Sequence, residues 1–182
     1  MRLVAATLML IAVLMAAGCE PSDSLEDVWG SSSSDVFAVG WSGTILHYDG
    51  REWSEMASGT TGVLKSVWGA SPSDVFVAGR YETILHYDGH AWDEMTSGLT
   101  ETSLYGVWGT SSSDVFAVGD SGTILHYDGT EWTEMTNDIP SHRNAVWGSS
   151  SSDVFAVGGG NTILHYDGRT WNPMTGWPTS EE

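Results

Sequence analysis

Cysteine is almost absent. Cys19 is the only one in 182 residues, so no disulfide can close within the chain. Basic side chains are scarce too. After Arg2 there are five, Arg51, Lys65, Arg80, Arg143 and Arg169, while all 24 acidic residues lie at or beyond Glu20. Five set against twenty-four gives −19 from Glu20 onward, with histidine neutral. Nucleic acids and anionic headgroups both demand basic surface, and this composition excludes them as partners. Long apolar runs are limited to Leu3 to Ala17, 15 residues, against the roughly 20 that a spanning helix needs. Beyond it no segment has apolar residues at helical spacing. Also missing are a nucleophile with a base at a recognisable spacing, a metal-ligand cluster and a phosphate-binding glycine loop. Neither an enzyme nor a cofactor is expected.

What is present begins with Met1-Arg2, the apolar run and Gly18-Cys19, which read as an export signal. Ala17-Gly18-Cys19 resembles the end of a bacterial lipoprotein signal, with Ala16 standing where leucine is more frequent. The resemblance implies a signal over 1–18 and a lipid on Cys19, with 19–24 as a tether. The protein would then be exported to the bacterial cell envelope and touch a membrane only through that lipid.

From residue 25 to about 178 the chain repeats itself. Val-Trp-Gly recurs at 28–30, 67–69, 107–109 and 146–148, a period of 39 or 40 residues. TILHYDG occurs unchanged at 44–50, 83–89, 123–129 and 162–168. Within a repeat, runs of four to seven β-branched and aromatic residues alternate with Gly, Ser and Asp turns, the pattern of antiparallel hairpins. Four strands in about 40 residues is the size of one propeller blade, and a lone blade cannot bury its two faces. The expected fold is all-β: a β-propeller of four four-stranded antiparallel blades over 25–182, divided at about 25–62, 63–101, 102–141 and 142–178. A closed monomeric ring is expected ahead of an open arc or two copies meeting as an eight-bladed ring.

The pattern VWGxSxSDVFAVGxxGTILHYDGxxW resembles β-propeller repeats of secreted bacterial proteins. It is similar to Asp-box (BNR) blades of sialidase-like and photosystem II assembly factor-like propellers, and more loosely to kelch. An Asp-box normally has one more residue between its aspartate and tryptophan than Asp49 and Trp53 leave. A sialidase-like site would need several arginines and a Tyr–Glu pair in a larger ring. The arginines here fall on both sides of the disc, so a glycosidase relative is the weakest reading.

Four copies of one residue suggest structure rather than a site. His47, His86, His126 and His165 fall on the third strand out, about 10 Å from the innermost one at roughly 4.8 Å per strand, too far apart to share a metal ion. Each is expected to hydrogen-bond within its own blade. Asp49, Asp88, Asp128 and Asp167 precede turn glycines and are expected to bind backbone N–H groups. One carboxylate per loop falls short of the six or more oxygens of a calcium site. Trp29, Trp68, Trp108 and Trp147, with Trp53, Trp92, Trp132 and Trp171, are expected to fill the core.

Difference between copies is more informative. The turns between strands one and two and between three and four lie on one side and are nearly uniform. The turns between strands two and three and the links between blades lie on the other side and vary. That side is the candidate ligand-binding face, with Trp41, Lys65, Arg80, Tyr81, Tyr105 and Arg143 as anchors for a protein or glycan partner. The sequence reads as a non-catalytic binding or scaffold module. The alternative is an assembly component that pairs with a second copy.

Overall fold

The structure, a computed structural model, describes residues 24–175. The signal segment and Cys19 lie outside the described residues. Sixteen strands form four antiparallel sheets, each ordered as the chain runs. The first blade is β1 (Leu25–Ser32), β2 (Asp35–Gly40), β3 (Ile45–Tyr48) and β4 (Trp53–Met56). The second is β5 (Leu64–Ser71), β6 (Asp74–Gly79), β7 (Ile84–Tyr87) and β8 (Trp92–Glu94). The third is β9 (Leu104–Ser111), β10 (Asp114–Gly119), β11 (Ile124–Tyr127) and β12 (Trp132–Glu134). The fourth is β13 (Arg143–Ser150), β14 (Asp153–Gly158), β15 (Thr162–Tyr166) and β16 (Trp171–Pro173).

TILHYDG is a brick. In every blade the histidine lies opposite the phenylalanine of the second strand, with ring centroids 4.5 to 4.6 Å apart. Its Nε2 lies 2.7 to 2.8 Å from the aspartate that opens that strand, as in His47 with Asp35 and His86 with Asp74. The neighbouring Asp-Gly closes the next hairpin. Asp49 Oδ1 accepts the N–H groups of Arg51 and Glu52 at 2.8 and 3.0 Å, which holds its carboxyl below the usual range, the Glu52 bond acting most. Gly50 sits at φ +91°, and a Cβ there would stand 2.7 Å from Ser34 Cβ, so the turn excludes other residues twice over.

The core lies between blades rather than within them. Three apolar clusters each draw on two successive blades. At each seam the phenylalanine of one blade meets the tryptophan of the next edge to face: Phe37 with Trp92, Phe76 with Trp132 and Phe116 with Trp171. Those tryptophans are 6 to 8% exposed. Trp53 and Trp147, expected in the core, instead stand 49 and 60% exposed. They lie on the outer faces of the first and last blades, where no further blade covers them among the described residues. The described contacts form three seams, and a seam between the first and fourth blades is not among them.

Candidate partner-binding face

Each link between blades is pinned to the turn joining strands two and three. Arg80 N–H donates to the Val63 carbonyl, Asp120 N–H to that of Ser103 and Gly159 N–H to that of His142, each at 2.9 Å, and Gly43 N–H adds a bond to Gly62 at 2.7 Å. Links and turns therefore share one side of the array. On the other side the uniform Ser-rich turns meet the Asp-Gly turns, as Ser34 meets Gly50.

On the varied side, Glu26 of the first blade accepts Lys65 Nζ at 2.9 Å and the Trp41 indole N–H. Lys65 is the chief reason that its carboxyl stays below the usual range, and the Arg80 guanidinium adds to the effect from nearby. Tyr105 OH donates to Asp120 Oδ1 at 2.9 Å. Burial, then Asp120, pushes that phenol up, while Arg80 acts the other way. Arg80 is thus within electrostatic reach of both groups, and it makes no ion pair among the described residues. The structure therefore gathers Trp41, Lys65, Arg80 and Tyr105 at one rim.

Tyr81 projects beside them, 74% exposed. Its φ is +54° and that of Glu82 is +61°. The same two places hold Ser42-Gly43, Ser121-Gly122 and Gly160-Asn161 in the other blades. A tyrosine in the left-handed region costs on the order of 1–3 kcal/mol, and such strain concentrates at functional positions.

Arg143 does not belong to this face. It is fully buried, in the register of Leu64 and Leu104, both of which begin their strands against the preceding blade. Its Nη1 donates to Thr162 Oγ1 and its Nη2 to the Ile139 carbonyl, each at 3.0 Å, and burial lowers its pKa. Read as part of the variable link, it looked like an anchor. Aligning Arg143-Asn144-Ala145-Val146-Trp147 with Leu64-Lys65-Ser66-Val67-Trp68 would have placed it inside.

Sequence reasoning also missed Asp27 and Ser66. Asp27 Oδ2 accepts Ser66 Oγ and Val67 N–H, both at 2.9 Å, and Ser66 Oγ in turn accepts Val107 N–H at 3.2 Å. These residues, with Lys65, Tyr105 and Asn144, line a cleft of about 360 Å³ along the inner strands. Its polar walls suit hydrogen bonding to an extended chain better than enclosure of an apolar ligand. A hollow of about 430 Å³ beside Ser121, Asn137 and Pro140 has Glu134 and Asp138 on its walls and no basic or aromatic side chain. Among the described residues no group of three His, Cys, Asp or Glu is placed to hold a metal.

No family profile and no curated protein matches the chain. Solved structures do. One is YCF48 bound to D1 peptide, with a TM-score of 0.68 and 18% identity over 87% of this chain and 55% of that one. Another is YCF48 from Cyanidioschyzon merolae, with a TM-score of 0.68 and 18% identity over 88% of this chain and 59% of that one. This chain therefore spans less than two thirds of the length of either neighbour. The likeness is one of fold: a β-propeller array of four four-stranded antiparallel blades.

Proposed function

We propose that this protein is a non-catalytic binding propeller, anchored at a bacterial envelope membrane by a lipid on Cys19, that takes an extended protein segment across its varied face. The observation that carries the reading is Tyr81. A large aromatic is held at positive φ and 74% exposed, beside the one cation of that rim that makes no ion pair among the described residues. Tyr81 offers an apolar platform, and Arg80 offers its guanidinium to carbonyl or carboxylate oxygens of the segment. The polar cleft along the inner strands gives such a segment somewhere to run. A protein partner is further supported by the neighbour YCF48, solved with a D1 peptide.

A displayed peptide library and a glycan array test the partner class. Peptides retained by the native chain and lost with Tyr81→Ala and Arg80→Glu support the reading. Retention of glycans alone, or of peptides indifferent to both substitutions, overturns it. The anchor is tested by metabolic palmitate labelling in a bacterial host. Label should enter the native chain and not Cys19→Ser, and label in neither refutes the lipid.

A further inference from the structure

We infer that two copies of this chain join head to tail into one eight-bladed ring, the outer face of each fourth blade seating on the outer face of the other copy's first blade. At every internal seam a Val-Trp-Gly tryptophan fills the place of a missing side chain in the next blade. A Cβ at Gly69 would lie 2.5 Å from the Trp29 ring, at Gly109 2.9 Å from Trp68 and at Gly148 2.6 Å from Trp108. Gly30 has no such visitor among the described residues. The three atoms nearest a Cβ there belong to its own blade, at 3.0 to 3.3 Å. The fourth tryptophan of the series, Trp147, is 60% exposed. One end of the array therefore presents a ring without a socket, and the other a socket without a ring.

The rest of the two end faces matches in the same way. Among the described residues Phe155 lacks the edge-to-face tryptophan that Phe37, Phe76 and Phe116 receive, and Trp53 lacks a phenylalanine and is half exposed. Val157 on one face and Val28 on the other are 41 and 62% exposed. Val28 N–H, whose counterparts Val67 and Val107 bond to the preceding blade, turns instead to its own Asp27 at 2.9 Å. Ala145 would face that residue without adding charge, and at the internal seam between the third and fourth blades the matching place is held by Gly106, against Ala145 Cα. Each end face is thus one half of an interface that the molecule already makes three times. A heterologous contact of this kind either closes or grows into a filament. Two copies of four blades make eight, within the range of about four to eight blades in which propeller rings close.

Sedimentation of the lipid-bearing chain in detergent micelles, at about 10 μM where a micromolar complex forms, should give a protein mass twice that of one chain. Trp147→Ala and Gly30→Leu should each halve that mass while the circular dichroism of the folded strands persists, because neither position packs against another blade of its own chain among the described residues. Oxidative footprinting should find Trp147 protected in the native chain and reactive in Gly30→Leu. A single-chain mass overturns the proposal whether Trp147 is reactive or protected, the latter meaning that one chain closes on itself. A double mass unchanged by both substitutions overturns it as well.

Discussion

Phe76 and Trp132 meet edge to face across a blade boundary, with ring centroids 6.5 Å apart and planes at 80°. The pair ties the second blade to the third, and Phe76 also lies against His86 and Tyr127. Replacing Phe76 by alanine is expected to cost about 3–5 kcal/mol, the range for a fully buried phenylalanine. Phe155 keeps its histidine at 4.5 Å but receives no tryptophan of its own chain among the described residues, and in dilute, unpaired chains Phe155→Ala should cost about half as much. Urea unfolding midpoints of the two variants check the ordering. Equal losses would mean that the seams contribute little.

Space at Gly69 is taken by the Trp29 indole, whose three nearest atoms all lie within 2.8 Å of an added Cβ. Gly69→Ala must displace that ring, at a cost of about 1–3 kcal/mol for overpacking. In dilute, unpaired chains Gly30→Ala meets no ring and should cost less than about 1 kcal/mol. Fluorescence of the displaced tryptophan should shift only in the first variant.

Arg143 is a buried cation with two hydrogen bonds and no carboxylate partner among the described residues. Restoring the leucine that stands in its register in the second and third blades removes a desolvated charge. Arg143→Leu should hold or raise the thermal midpoint, as replacement of buried ionic groups by apolar ones often does. Arg143→Ala leaves a void and should lose about 2–4 kcal/mol. Calorimetry on both variants separates charge from volume, and a large loss in Arg143→Leu would contradict this account.

Asp128 provides a pH test. Thr130 Oγ1 donates to Oδ1 at 2.6 Å, with the N–H groups of Glu131 and Thr130 at 3.0 and 2.8 Å. These donors hold the carboxyl at about 2, below the usual 3.8. Asp88 and Asp167 are lowered by the matching backbone N–H groups of their own turns, Ala91 and His90 for one and Thr170 and Arg169 for the other. A folded pKa below the unfolded one stabilises above the unfolded value, and the contribution fades as pH falls through the folded one. The thermal midpoint should therefore drop between about pH 4 and pH 2. Asp128→Asn should start lower at neutral pH and fall less across that interval, so that the two curves converge in acid.

Strand order, blade count and the two-sided arrangement of loops were legible in the chain because each blade is made of local hairpins whose turns spell themselves out in Asp-Gly and Ser-Asp. The histidine was legible as structure because it repeats with its aspartate. Arg143 was misread because link and strand were divided at the wrong residue, and a charge next to a variable loop resembles surface. The Asp27–Ser66 bond joins residues 39 apart in the chain and has no equivalent in the last two blades. Nothing local announced it. Exposure of Trp53 and Trp147 was hidden for a different reason. They carry the same letters as their buried counterparts, and only the position of a blade in the series distinguishes them.

Uniform seams make the molecule editable in whole periods. Excising 64–103 would bring Trp132 against Phe37 in place of Trp92, an exchange of like for like, and duplicating the same stretch would insert one more blade between compatible neighbours. A cut of any other length would shift the strands out of step and present a polar edge where an aromatic is needed. Diameter in such an architecture is thus a quantity set by copy number, adjustable with the aromatic seam kept and only polar contacts of the inner strands, such as Asp27 with Ser66, exchanged.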